Sequence, residues 1–142
     1  MLKKKIKICS ACLLGVNCRL DGKNKLNQKV VRLARQEILI PVCPEQLGGL
    51  ATPREAMEIK KGRVLTKSGR DVTAELRAGA KEVLKIAKLF KVKEAILRKK
   101  SPSCGYGMIF DGSFSEKMVK GNGITAKLLK KNGFKILTEN DL

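Results

Sequence analysis

Residues 73–97, TAELRAGAKEVLKIAKLFKVKEAIL, decide the fold. The apolar residues up to about residue 90 recur at helical spacing, which predicts an amphipathic helix. Residues 94–97 (EAIL) then form a short apolar run of the kind found in strands. A long helix that leads into an apolar strand is one unit of an α/β fold.

The same alternation extends over the rest of the chain. Further strands are predicted at residues 6–9, 38–42 and 134–137, helices at 27–36 and 125–131, a short helix starting at 52–55, and a hairpin at 58–66. The strand at residues 38–42 is apolar throughout, as a buried parallel strand should be. We therefore expect an α/β fold that forms a single domain over residues 1–142. Its three-layer open sheet should be mainly parallel and Rossmann-like or flavodoxin-like, with a small β-hairpin insertion.

The composition is that of an ordinary globular protein. The chain has 142 residues, of which 43% are hydrophobic and 31% charged, and a domain of this size can bury a substantial core. No run approaches the roughly 18 apolar residues of a membrane span. The basic residues 1–5 precede a short strand pattern rather than the apolar stretch of a signal peptide. We expect no membrane association and a cytoplasmic location, whereas the oligomeric state is not indicated.

The net charge is +18, from 31 Lys and Arg against 13 Asp and Glu. Such a charge makes nucleic-acid binding a candidate function, because Lys and Arg neutralise phosphates of any sequence. The basic residues are, however, spread along the whole chain, and an aromatic content of 4% leaves few platforms for base stacking. A lysine-rich surface without a nucleic-acid partner is the simpler interpretation.

The chain has no His and five Cys. The absence of His excludes Ser-His-Asp and Cys-His nucleophilic sites, and proton transfer must use a carboxylate, Lys, Tyr or a thiol. Thiols stay reduced in the cytosol, so an odd number of Cys favours metal binding or reactivity over a disulfide framework.

Three of the cysteines follow predicted strands. Cys12 comes shortly after the first strand, Cys43 directly after the second, and Cys104 after the strand at residues 94–97. In open parallel sheets the ligand lies beyond the carboxyl ends of the strands, so we expect these thiols to meet there. Converging thiols without His favour a thiophilic metal, either an iron–sulfur cluster or zinc.

The other two cysteines are less informative. Cys9 lies at the end of the first strand, where a small buried side chain is the simplest interpretation. Cys18 lies in a polar loop and is a spare thiol, a fourth ligand or a resolving partner. Cys9 and Cys12 form the only CxxC pair, so the zinc-ribbon pattern is not fulfilled.

The turn at residues 101–105 (SPSCG) combines two hydroxyls and a thiol with Pro102 and Gly105. Pro fixes φ and Gly permits positive φ, so the chain can turn sharply and direct small polar side chains at one point. The turn is therefore a candidate site, with Ser101 and Cys104 as its chemical groups and Ser103 unassigned.

Several motifs together resemble the thiouracil desulfurase (TudS-like) family. They are CLLG at residues 12–15, RLDG at 19–22, CPE at 43–45, GGL at 48–50, PR at 53–54, SPSCG at 101–105 and FDGSF at 110–114. They occur in the family's order and cover essentially the whole chain. One departure is Leu20, where an aromatic residue is common in the family.

The resemblance implies an enzyme that removes sulfur from thiolated uracil by non-redox hydrolysis and releases sulfide. It implies a [4Fe–4S] cluster held by Cys12, Cys43 and Cys104, with one iron free to bind the substrate's sulfur. The family's catalytic carboxylate corresponds to Glu45 and its substrate-contacting serine to Ser101. A salt bridge or a helix cap is the structural alternative for these two residues.

Arg19 and Asp21 are candidate substrate-binding residues, with a turn and a surface charge as their structural alternative.

Two further hypotheses come from other classes. The first is a basic nucleic-acid-binding module with a structural Cys-ligated zinc site, motivated by the charge and the cysteines. The second is a thiol redox protein that cycles a disulfide between Cys9 and Cys12, which requires a depressed thiol pKa.

Overall fold

The computed structural model describes residues 4–142, so the first three residues of the basic N-terminus lie outside it. Its helices and strands follow in chain order: β1 (Ile6–Ser10), α1 (Gln28–Leu33), β2 (Ile38–Val42), α2 (Pro44–Leu47), β3 (Met57–Lys60), β4 (Arg63–Thr66), α3 (Thr73–Leu89), β5 (Glu94–Leu97), β6 (Met108–Phe110), β7 (Met118–Lys120), α4 (Ile124–Lys131) and β8 (Lys135–Thr138). Two 3-10 turns, Ala11–Leu14 and Glu139–Asp141, follow β1 and β8.

The central sheet has the strand order β2-β1-β5-β8, and all neighbours are parallel. The predicted α/β fold with a mainly parallel sheet is therefore confirmed. The chain passes from β1 to β2 at one edge and later returns to β5 on the other side of β1. This reversal opens a crevice at the carboxyl end of β1, where ligands bind in such folds.

The sheet is covered on both faces. Successive side chains of a strand point to opposite faces of the sheet. On one face, Ile8 of β1 and Leu97 of β5 pack with Val83 of α3 and Leu129 of α4. On the other face, a second cluster contains Cys9 and Ile96 together with Val30 of α1. These clusters form the layers above and below the sheet.

Two predictions about the second quarter of the chain are wrong. β2 is the edge strand, and Ile38 at its start is 47% exposed, so this apolar strand is not fully buried. Residues 52–55 form no helix. Instead, the backbone N–H of Arg54 donates to the carbonyl of Leu20, and the side chain binds Glu45.

The remaining differences concern small elements. The predicted hairpin is present as β3 and β4, and a second hairpin, β6 with β7, lies in a stretch for which no strand was predicted. α1 ends at Leu33 rather than at residue 36. No helix within residues 4–142 has the length and apolar character needed to cross a membrane.

A close contact between α2 and α3 fixes the position of α2. A Cβ on Gly79 would lie 1.8 Å from the carbonyl oxygen of Pro44, and one on Gly48 would lie 2.0 Å from that of Glu75. The two helices can approach this closely only because both positions are glycine. α2 carries Glu45, and Cys43 is its N-cap residue, so this contact also positions part of the site.

Candidate active site

A pocket lies at the carboxyl ends of β1, β2 and β5. Its lining combines the loops that leave these three strands: Ser10, Ala11, Cys12, Cys18, Arg19, Val42, Cys43, Pro44, Glu45, Arg54, Arg98, Ser101 and Cys104. The predicted convergence of Cys12, Cys43 and Cys104 is therefore present. The pocket also contains Glu45, Ser101 and Arg19, whereas Asp21 does not line it.

Four of the five cysteines belong to this pocket. Cys12 and Cys104 are buried, Cys43 is half-buried, and all three are free thiols. Cys18 is the fourth, and its thiol contacts those of Cys12 and Cys43. Cys9 does not line the pocket and is fully buried in a hydrophobic cluster with Cys12, Cys18 and Val30 of α1, as expected for a small buried side chain.

The surroundings of Cys18, Cys43 and Cys104 raise the pKa values of these three thiols. Contact with Cys12 raises the pKa of Cys18 to about 11, and contact with Cys18, followed by burial, raises the pKa of Cys43. Burial raises the pKa of Cys104 to about 12, against a smaller lowering by the Ser10 hydroxyl. These three thiols are protonated at neutral pH in the metal-free protein, so metal binding must release protons.

The donor set of the pocket suits an iron–sulfur cluster. Among residues 4–142, no three His, Cys, Asp or Glu side chains are grouped to hold one metal ion. A [4Fe–4S] cluster does not require its ligands to meet at one ion, because each thiolate binds a different iron. The cysteine sulfurs can therefore lie further apart than the ligands of a single metal ion. Three arginines and one carboxylate line the pocket, and this excess of positive charge favours an anionic group.

Glu45 lies on the first turn of α2 and is paired with Arg54. The Nε of Arg54 donates to Oε2 of Glu45 at 2.8 Å, and Nη2 donates to the same oxygen. Within residues 4–142, both hydrogen bonds to this carboxylate go to Oε2, and Oε1 accepts none.

The Ser101 hydroxyl accepts hydrogen bonds from the backbone N–H groups of Ser103 and Cys104, at 3.1 and 3.0 Å. It therefore caps the turn, which is the structural alternative that the sequence left open. A hydroxyl that accepts two bonds still has its own proton to donate. Capping and a contact with substrate are compatible at this position.

The turn at residues 101–105 is held by tight packing and by α4. The Ser103 hydroxyl is hydrogen-bonded to that of Thr125 at 2.8 Å, which gives Ser103 a structural role. A Cβ on Gly105 would lie 2.5 Å from the carbonyl oxygen of Ser101. Gly105 does not have the positive φ that the sequence suggested. It is needed because the backbone approaches closely.

Arg19 and Asp21 are paired with each other at the edge of the pocket. Their closest charged atoms are 3.4 Å apart, and the Asp21 carboxylate also accepts from the backbone N–H of Lys23. This backbone hydrogen bond, helped by Arg19, lowers the pKa of Asp21. Asp21 thus acts as a turn residue that orients Arg19, whose Nε is buried without a partner among residues 4–142.

Several polar residues of the pocket were not predicted from the sequence, among them Arg54 and Ser10. Arg54 was recognised only as part of a motif, yet its guanidinium reaches Glu45, Thr52 and the carbonyl of Cys18. Ser10 lies at the end of β1, where its hydroxyl accepts from the N–H of Arg98 and contacts the Cys104 thiol. The position of Ser10 at a strand end beside Cys12 was the available signal.

Comparisons with known proteins cover nearly the whole chain. The model of the 2-thiouracil desulfurase family matches residues 8–141. YbbK of Bacillus subtilis (strain 168), an uncharacterized protein, is 39% identical over 145 aligned positions that cover 95% of this chain and 96% of YbbK. A solved structure described as the [4Fe–4S]-dependent thiouracil desulfidase TudS is also 39% identical, with a TM-score of 0.92 over 99% of this chain and 93% of that chain. The chain described here belongs to the 2-thiouracil desulfurase family.

Proposed function

We propose that this chain is a [4Fe–4S]-dependent enzyme that hydrolyses a thiolated uracil to the corresponding uracil and hydrogen sulfide. Water supplies the oxygen that replaces sulfur, so the reaction involves no net oxidation or reduction. The observation that carries the proposal is the pocket in which three strand-end cysteines meet beside Glu45 and Ser101. The TudS structure, that of a [4Fe–4S]-dependent thiouracil desulfidase, has the same fold.

Cys12, Cys43 and Cys104 are the residues proposed to hold the cluster. They come from three separate loops of the pocket, and each would bind a different iron. When bound, the cluster supplies a thiophilic Lewis-acidic iron. The arginine-rich lining compensates the negative charge that three thiolates bring into the pocket.

Glu45 is the proposed general base. Arg54 holds Oε2 of its carboxylate, so Oε1 is the oxygen that takes a proton from the attacking water. The side chains of Glu45 and Arg54 are only 12% and 8% exposed. In such a position the carboxylate keeps one orientation, and few other waters compete for it.

Ser101 is the proposed substrate contact. Its oxygen accepts from two backbone N–H groups, which fixes the hydroxyl and leaves its proton to donate to a ring oxygen or nitrogen. Arg19 is the second candidate contact, with Asp21 as the residue that orients it. We propose the cytosol as the location, where the five free cysteines would stay reduced.

The proposal is tested by reconstituting the chain with iron and sulfide under anaerobic conditions and measuring sulfide released from 2-thiouracil. We expect a brown protein with about four irons per chain. Glu45→Gln should keep the iron but lose activity by a factor on the order of 10²–10⁴. A wild-type protein that remains colourless and inactive after reconstitution contradicts the proposal.

A further inference from the structure

Cys18 is a fourth thiol in the pocket, with no role in the function proposed above. It is 2% exposed and lines the pocket together with Cys12 and Cys43, two of the three proposed cluster ligands. A spare surface thiol would lie in solvent, and Cys9, which packs in the same hydrophobic cluster as Cys18, does not line the pocket as Cys18 does.

The backbone around Cys18 is held in place by pocket residues. Nη2 of Arg54 donates to the Cys18 carbonyl at 2.8 Å, and the Cys43 thiol donates to the same oxygen at 3.7 Å. The N–H of Cys18 donates to the carbonyl of Val16 at 2.9 Å. The guanidinium that orients Glu45 therefore also orients this loop, so the Cys18 thiol has a defined position in the site.

Three cysteine ligands leave one iron of a [4Fe–4S] cluster without a protein ligand. A thiolate is the donor that an iron–sulfur cluster normally receives from a protein at each iron, and Cys18 is the further thiol that the pocket offers. It reaches the site from the same loop as Cys12, which it contacts.

We propose that Cys18 is the fourth cluster ligand in the substrate-free enzyme and gives up its place to the sulfur of the substrate. This inference rests on the proposed function. In the exchange one iron–sulfur bond to Cys18 breaks and one to the substrate forms. No electrons are transferred, and the released thiolate takes one proton from solvent. In the resting enzyme, Cys18 thereby protects the iron that must be free to bind substrate during catalysis.

The test compares wild type with Cys18→Ala, Cys18→Ser and the control Cys9→Ala, all reconstituted anaerobically. Cys9 is a suitable control because it is also buried, in the same hydrophobic cluster, but does not line the pocket. After timed exposure to air, iron per chain and the paramagnetic signal of a three-iron cluster are recorded. We expect both Cys18 variants to lose one iron at least about tenfold faster than wild type and Cys9→Ala.

Equal rates of iron loss in all four proteins would overturn the role of Cys18. If Cys18→Ala does not fold, Cys18→Ser supplies the comparison, since it keeps nearly the same volume. The two proposals fail separately. A wild type that holds about four irons and releases sulfide, with Cys18 variants equally stable in air, refutes only the fourth ligand. A wild type that never acquires iron refutes the proposed function.

Discussion

Gly79→Ala tests whether the α2–α3 contact positions the catalytic carboxylate. The added Cβ would lie 1.8 Å from the carbonyl oxygen of Pro44, whereas real Cβ atoms almost never come within 3.0 Å of a neighbour. The helices must therefore separate by at least about 1.2 Å. A misplacement of about 1 Å in a catalytic group can cost a factor on the order of 10² in rate.

The same substitution has opposing effects on stability. Alanine within a helix is favoured over glycine by about 1 kcal/mol, but overpacking a tight contact costs about 1–3 kcal/mol. We expect a net loss, because the obstructing atoms belong to backbone and cannot rotate away. If Gly79 provided only backbone flexibility, Gly79→Ala would instead raise the free energy of unfolding.

The assays are denaturant unfolding of the cluster-free, reduced chain and sulfide release by the reconstituted protein. Ala78→Ser is the matched control, because Ala78 is the neighbouring residue on the exposed side of α3. It should leave both the free energy of unfolding and the rate nearly unchanged. A Gly79→Ala protein that is as active as wild type and equally or more stable would refute the reasoning.

Three further predictions concern single side chains. Arg54→Met leaves the nearly buried Glu45 carboxylate unpaired and should lower the free energy of unfolding by about 3–5 kcal/mol, whereas Arg54→Lys keeps the charge and should be milder; equal values would contradict the pairing. Ser101→Ala removes the acceptor for two backbone N–H groups, so unfolding should become easier by about 1–3 kcal/mol and sulfide release should fall as well; an unchanged stability would argue against the cap. Hydrogen bonds from Thr73, followed by Arg63, lower the pKa of Asp71 from its ordinary value of 3.8 to about 2. Ionised Asp71 therefore stabilises the fold above about pH 4, and this contribution disappears as the pH falls towards 2. Urea unfolding of Asp71→Asn should show a weaker pH dependence over that interval, and a slope equal to that of wild type would contradict it.

Long periodic segments were predictable from sequence because one local rule determines them. α3 buries one face over seventeen residues, and β5 is a short apolar run that the turn at residues 101–105 follows. The convergence of Cys12, Cys43 and Cys104 followed from topology alone, since parallel strands end at one edge of the sheet. These predictions needed no knowledge of side-chain contacts.

The misses arose where distant residues override local preference. Residues 52–55 carry the pattern of a helix start, but Thr52 accepts from Gln46 and Arg54 instead of capping a helix. The position of β2 at the sheet edge is a property of strand order, and an apolar run does not reveal it. The hairpin of β6 and β7 has strands of three residues, which are too short to give a clear alternation.

In the pocket, residue types were easier to predict than partners. Glu45 was identified through the family resemblance, but its partner Arg54 is nine residues further along and follows an irregular loop. The role of Cys18 depended on where a polar loop folds back, and spacing could not decide that. Its contact with two other thiols became visible only in three dimensions.

The most direct test of the central claim is sulfide release from 2-thiouracil by anaerobically reconstituted wild type, measured beside Glu45→Gln at equal iron content. We expect about four irons per chain in both proteins. Wild type should release sulfide, and Glu45→Gln should release almost none. Iron-loaded wild type that releases no sulfide, or a variant as active as wild type, would contradict it.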